Sequence, residues 1–405
     1  MSNRKLSIEQ AKIFGVTEAT VTVVFGVYED GRAVDAEAAV RIDGDVRAVS
    51  KGSAGTRLVR IDGLAPDREY EVAIDVAGGR AAASSRYFPG RARTLPAPRA
   101  AEVASFATLN DLHFGEQRIG GVLSDDHEYG DAAPGFPVVA DADYESPYAE
   151  FMNADAIAEI NRVGVDLTII KGDIADRGLP QQFELAARTF EAFERPHHAF
   201  LGNHDHLERN HGRNVDGYAL LGQEAAPRSL DLGGFRLILL DTTIPGRHEG
   251  AFGEQRREWL ADALAESLET PTLLFTHHHP VPPEHAGNFP NTIGIDPADS
   301  VALFELLGHA PQVKGVLIGH THRNRVRHHA RTAGLPFAEV INPKDYPGGF
   351  GHYRLFEDGS FRQEVRRTPS QRALHHSTRC RELFQGQYQH FTLGSLEDRC
   401  YVAGD

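Results

Sequence analysis

Five short groups of residues in this 405-residue chain have the types and spacing to do chemistry: Asp111-Leu112-His113, Gly172-Asp173-Ile174-Ala175-Asp176-Arg177-Gly178, Gly202-Asn203-His204-Asp205, His277-His278-His279-Pro280 and Gly319-His320-Thr321-His322. Each follows a short apolar run: SFATL, LTIIK, HHAFL, TLLFT or VKGVLI. An Asp or Asn at one strand exit is ordinarily a turn residue or a helix cap. Five exits in a row presenting Asp, Asn or His form a pattern that turn chemistry does not require. Carboxylate, amide and imidazole donors without thiolate suit Mn, Fe, Zn or Mg, and the lack of nearby Cys excludes a structural zinc site. On an extended segment residues i and i+2 share a face, so Asp111 and His113 would point together, as would His320 and His322. Asp173 is the natural bridge between two ions, because a carboxylate offers one oxygen to each.

The segments between these groups say what must position them. PYAEFMNADAIAEINRV, LPQQFELAARTFEAF, GEQRREWLADALAESL and PADSVALFELLGHA have helical length and patterning, and they alternate with the apolar runs. Strands alternating with helices predict an α/β domain, whose ligands sit beyond the carboxyl ends of the strands. The first ~95 residues read differently. ATVTVVFGVYEDGRAV, EAAVRIDGDVRAVS and TRLVRIDGLAPDREYEVAIDV alternate partly, are rich in Val and Thr, and carry Asp-Gly turn signals. They predict a small all-β immunoglobulin-like sandwich. Leu64-Ala65-Pro66 followed by Tyr70 resembles the tyrosine corner of fibronectin type III domains. The expected division is 1–98 for this sandwich, 99–368 for the catalytic domain and 369–405 for a C-terminal extension.

The set D-x-H, G-D-x-x-D, G-N-H-D, H-x-P and G-H-x-H, in that order over about 103–365, resembles the calcineurin-like metallophosphoesterases. The nearest pattern is the branch containing bacterial cyclic-nucleotide and glycerophosphodiester phosphodiesterases. The resemblance implies an α/β/β/α sandwich and a binuclear centre. One ion would take Asp111, His113, Asp173 and His322; the second would take Asp173, Asn203, His278 and His320. H-x-P spacing to Pro280 selects His278 and sends His277 and His279 elsewhere. His204 would face the phosphate and stabilise or protonate the leaving oxygen, with Asp205 orienting it and Asp176 supporting a ligand. The resemblance of Asp176-Arg177-Gly178 to Ser/Thr phosphatases places Arg177 at the phosphate, against a solvated loop arginine as the plain alternative. The implied reaction is hydrolysis of a phosphoester by a hydroxide bridging two divalent ions. A small-molecule phosphodiesterase is the first expectation, and a phosphomonoesterase or protein phosphatase is the alternative. A sandwich-centred binding or scaffold module would not need five intact motifs.

Charge narrows the partners. The chain has 42 Lys+Arg against 57 Asp+Glu, a net −15. Residues 99–350 carry 20 basic and 37 acidic groups, whereas the flanking parts are near balance. Such a body argues against nucleic acid, which selects basic faces. It leaves room for a small ester at a local positive site. No apolar run reaches the ~20 residues of a membrane span, and the N-terminus shows no apolar signal core, so the expectation is a cytoplasmic protein with no membrane partner. A homo-oligomer stays open.

Three further features carry expectations. Residues 116–150 hold nine acids against Arg118, in an insertion long enough to serve as a lid or binding loop. Its acids would favour small or cation-bearing esters; a solvated acidic loop is the alternative. Asn291 could contact substrate or sit in a turn. The Arg/His run from His322 to Arg331 is read as a solvated face or a phosphate-attracting rim, His197 and His198 as structural, and Cys380 and Cys400 as free buried thiols.

Overall fold

The computed structural model describes residues 6–120, 122–124, 127–131, 137–285 and 293–403. Asn291 and the side chains of 121–136 lie outside the described residues, and with them four of the insertion's nine acids. Within the insertion, Arg118–Gly120 pairs with Val138–Ala140 and Val122–Ser124 with His127–Asp131.

The N-terminal part is two antiparallel sheets face to face. Leu6–Val16, Val21–Glu29, Arg32–Ala33 and Thr56–Ile61 make one; Asp45–Ser50, Ala38–Ile42, Glu69–Val76 and Arg91–Arg93 make the other. Alternate residues meet in one core, with Val21, Val23, Phe25 and Val27 from the first sheet against Val40, Val72 and Ile74 from the second. The Tyr70 hydroxyl accepts the Ala65 amide at 2.7 Å, which pins the chain where it crosses from one sheet to the other.

Beyond it, two six-stranded sheets pack face to face. The first runs in the order His197–Phe200, Leu167–Lys171, Glu102–Leu109, Gly349–Phe356, Phe361–Arg367 and Cys400–Ala403; its first three strands are parallel. The second runs Arg228–Leu232, Phe235–Leu240, Thr272–Thr276, Val313–Ile318, Pro336–Glu339 and Arg325–His328, with its four inner strands parallel. Phe106, Ile169, Phe200, Leu237, Phe275, Leu317 and Tyr353 fill the space between the sheets. Tyr148–Val163 and Pro180–Phe190 cover the outer face of the first sheet; Glu254–Ala265 and Pro297–Gly308 cover that of the second. Four layers, α/β/β/α, result, and strands buried on both faces explain why LTIIK and TLLFT are continuous apolar runs rather than alternating ones. All four predicted helices form. Pro180 and Pro297 open two of them, and Gly164 (φ 78°) closes the first.

The C-terminal segment joins both halves. Its helices Gln371–Cys380 and Tyr388–Thr392 pack beside the insertion, and Cys400–Ala403 returns as the edge strand of the first sheet. Arg399, fully buried, donates to the carbonyls of Ile13, Phe14, Leu393 and Gly394. The sandwich is thereby bolted to the α/β body. Cys380 and Cys400 are both free and buried.

Candidate metal centre

The strand exits converge where the two sheets' carboxyl ends meet. Asp111 and His113 leave Glu102–Leu109, Asp173 leaves Leu167–Lys171, Asn203 and His204 leave His197–Phe200, His277 leaves Thr272–Thr276, and His320 and His322 leave Val313–Ile318. The D-x-H segments are not extended. Asp111 (φ 53°), His113 (44°), Asp173 (51°), His320 (68°) and His322 (53°) all occupy the left-handed region, which costs non-glycine residues roughly 1–3 kcal/mol each and persists where surroundings enforce it. Those surroundings are visible: the amides of Asp111 and His113 donate to the carbonyls of Gly172 and Asp173, both at 3.0 Å. Left-handed turns, rather than strand alternation, aim these side chains at one point.

Asp173 lies at the centre of that point. Its Oδ2 is 3.2 Å from His277 Nε2 and 3.8 Å from His113 Nε2, and its Oδ1 accepts the His204 amide at 2.8 Å. Asp173 belongs to two donor groups, one with His113 and His204 and one with Asp111 and His277; Asp111, His113 and His322 form a third beside it, and His277, His278 and His320 a fourth. The chemistry of the donors fits divalent cations. His113 Nε2, Asp111 Oδ1 and His320 Nδ1 are buried without hydrogen-bond partners. Such orphaned atoms are costly unless something engages them.

The protein's own charges also call for positive charge here. Burial opposes it, yet Asp173 raises the His277 imidazole to about 9, and Asp111 with Asp345 raises His322 to about 10. Asp173 is held well below the ordinary carboxylate range, against its burial, by His277 and His204. Burial and the charge of His277 push His320 down to about 3, keeping it a neutral donor.

The histidine triplet divides differently from the expectation. His278 turns away: its Nδ1 bonds the Thr242 hydroxyl (2.9 Å) and its Nε2 faces the His248 carbonyl (3.2 Å). It remains within 4.8 Å of donor atoms of His277 and His320, but both nitrogens are engaged. His277 instead puts Nε2 3.1 Å from Asn203 Oδ1 and beside Asp173, with Nδ1 on the Lys171 carbonyl at 2.7 Å. The reason is space. A Cβ on Gly172 or Gly202 would lie 2.7 Å from the His277 ring, and one on Gly319 3.3 Å. The glycines that open three of the motifs make the slot for this imidazole.

His204 stands beside the centre with Nδ1 donating to the Asp176 carbonyl (2.6 Å), which leaves Nε2 as its working nitrogen. Asp205 does not orient it. The Asp205 carboxylate accepts the amides of Ala175 (2.7 Å), Gly202 (2.8 Å) and Ile174 (3.2 Å), tying two motif loops together. Burial and Asp173 raise it to about 7. Asp176 Oδ1 lies 3.3 Å from His113 Nδ1. Arg177 lines a cleft of about 340 Å³ with Glu208, His211, Arg213 and His248.

Other residues were missed. His248 Nδ1 accepts from Asn203 Nδ2 at 3.2 Å, and Asp345 Oδ2 lies 3.0 Å from His322 Nδ1. Asp345 follows the strand Pro336–Glu339, so the strand-exit rule carried one strand further would have reached it. The Arg/His run divides: Arg323, Arg325 and Arg327 all bond the fully buried Glu339, whereas His328 and Arg331 are exposed as a solvated face would be. His197, half-buried, stacks on Phe193.

Residues 104–324 match the family described as calcineurin-like phosphoesterase, more than half of the chain. This chain belongs to that family. Among its relatives, a probable cyclic nucleotide phosphodiesterase of Synechococcus is 29% identical over 49% of this chain and 76% of that protein. A probable glycerophosphodiester phosphodiesterase of Arcobacter nitrofigilis is 34% identical (39% and 57%), and a 3',5'-cyclic adenosine monophosphate phosphodiesterase of Pseudomonas aeruginosa 32% (39% and 55%). The chain thus spans little more than half the length of the last two. A solved dimetal phosphatase from Danio rerio is 17% identical over 66% of this chain and 97% of that one, with a TM-score of 0.47. This phosphoesterase has no helix among its described residues long and apolar enough to cross a membrane.

Proposed function

We propose that this calcineurin-like phosphoesterase is a metal-dependent phosphodiesterase of small substrates. One divalent ion would be held by Asp111, His113, Asp173 and His322, and a second by Asp173, Asn203, His277 and His320. The observation that supports the reading is the place of Asp173 in two donor groups, with His113 and His204 and with Asp111 and His277, its two carboxylate oxygens facing different partners. Bound divalent ions in such a site supply Lewis-acid stabilisation of phosphoryl oxygens and lower the pKa of water to near neutrality. The chain's own contribution is orientation and proton handling. With Nδ1 fixed on the Asp176 carbonyl, His204 presents Nε2 toward the centre, where its protonated form donates to the departing oxygen. The His248 ring lies 5.6 Å from that of His204, and His248 and Arg177 line the cleft that we read as the place of the leaving alcohol.

The diester preference draws on the named activities of the relatives, and the small-substrate preference also on the acidic body. The N-terminal sandwich we read as fibronectin type III-like, bracing the catalytic body through Arg399. The protein is stripped of metal and reconstituted with Mn, Fe, Zn or Mg, then assayed on an aryl phosphodiester and its monoester. Diester hydrolysis restored by metal and abolished in Asp173→Ala is expected. Metal-independent hydrolysis, or full activity in Asp173→Ala, defeats the reading; a higher monoester rate would make the protein a phosphatase.

A further inference from the structure

The family match ends at Asn324, yet the partner of His322 Nδ1 comes from beyond it. Asp345 is fully buried, and its Oδ2 gathers three donors: His322 Nδ1 at 3.0 Å, Asn342 Nδ2 at 2.9 Å and the Tyr388 hydroxyl at 2.9 Å. Tyr388 opens the short helix Tyr388–Thr392 of the C-terminal segment. The neighbouring helix grips the same loop, since His376 Nε2 donates to the Lys344 carbonyl at 2.7 Å. Lys344, also buried, pairs with Glu116 at 2.8 Å. Carboxylate contacts to the far nitrogen of a metal-binding histidine fix its tautomer and ring orientation, and losing them typically costs 10–100-fold in metal affinity or activity.

We propose that Asp345 and Tyr388 are positioning residues for His322, so that the C-terminal segment sets the affinity of one of the two metal sites. Asp345 holds the imidazole with Nε2 toward Asp111, and Tyr388 holds Asp345. The tail is thus part of the metal site's frame, although none of its side chains is proposed as a ligand. This rests on the two-metal reading above.

The test titrates Mn²⁺ calorimetrically into the full-length, metal-stripped protein and its variants. His322→Ala identifies the binding step to which His322 belongs. Tyr388→Phe keeps the ring and its packing but removes the donor; it should weaken that same step about tenfold and leave the other unchanged. Asp345→Asn should weaken it at least as much. Hydrolysis of an aryl phosphodiester by Tyr388→Phe should recover as Mn²⁺ is raised. Tyr87→Phe is the control: Tyr87 bonds His390 of the same helix at 2.7 Å without reaching Asp345, so its loss should not be selective for that step. Wild-type affinity at both sites in Tyr388→Phe overturns the proposal, as does equal weakening in Tyr87→Phe. If wild type binds two ions but hydrolyses no phosphoester, the functional reading fails while this titration still decides the proposal.

Discussion

At the residue scale, each imidazole in the centre is read from what its two nitrogens touch. His277 and His278 are neighbours of one type, yet only His277 has a nitrogen among carboxylate and amide oxygens. Removing His277 therefore takes away a proposed ligand, whereas removing His278 loosens the turn carrying Thr242 and His248. Metal analysis of the purified variants should show His277→Ala short of one ion per chain and His278→Ala with two. The reverse would restore the H-x-P assignment. His204 makes a different prediction, because a group that protonates the leaving oxygen matters in proportion to how poor that leaving group is. His204→Ala should lose about 100-fold or more in kcat on alkyl diesters and much less on nitrophenyl esters. Equal losses on both would deny His204 the proton.

At the scale of elements, the site depends on how closely two loops approach. A Cβ on Gly202 would come within 2.3 Å of Asp173 Oδ1 and 2.4 Å of its amide nitrogen. Neither atom can yield, since Asp173 is held in the left-handed region. Gly202→Ala is predicted to cost ~1–3 kcal/mol of stability through overpacking, and to displace the shared carboxylate. Thermal unfolding and metal content, measured together, check both effects. An alanine variant with wild-type metal content would show that the loops can separate without penalty. Gly31 makes the contrast: a Cβ there meets nothing within 4 Å, and only its positive φ (78°) constrains it.

At the scale of the whole molecule, the sandwich and the α/β body share buried polar ties. Arg60 of the sandwich bonds Glu364 of the first sheet at 2.8 Å. Burial by itself would raise the Glu364 carboxyl, but the His352 imidazole 3.7 Å away and the charges of Arg366 and Arg60 hold it at about 2. A folded-state value below the unfolded one means stability that is complete above pH ~4.5 and lost as pH falls toward about 2. The shift corresponds to about 3 kcal/mol. Denaturant unfolding at pH 6 and pH 3 should therefore differ less for Glu364→Gln than for wild type. An unchanged pH dependence in that variant would assign the acid sensitivity to other carboxylates.

Much of this protein is written locally. The apolar runs, the helix lengths with Pro180 and Pro297 at their starts, and the chemical type of each exit residue determined the α/β body and the nature of its centre. The short strands of the N-terminal sheets were equally legible, because strand period and turn signals are properties of neighbouring residues. What the tertiary structure decided is which of several suitable side chains face one another. His277 reaches Asp173 and Asn203 because three glycines at the ends of other strands leave room for its ring. Arg323, Arg325 and Arg327 turned inward because Glu339, across a strand pairing, lies buried against them. Asp345 and Tyr388 joined the site from outside every motif, brought there by packing of the tail on the body. Residue type is a local property, but approach distance and shared burial arise only when distant segments meet.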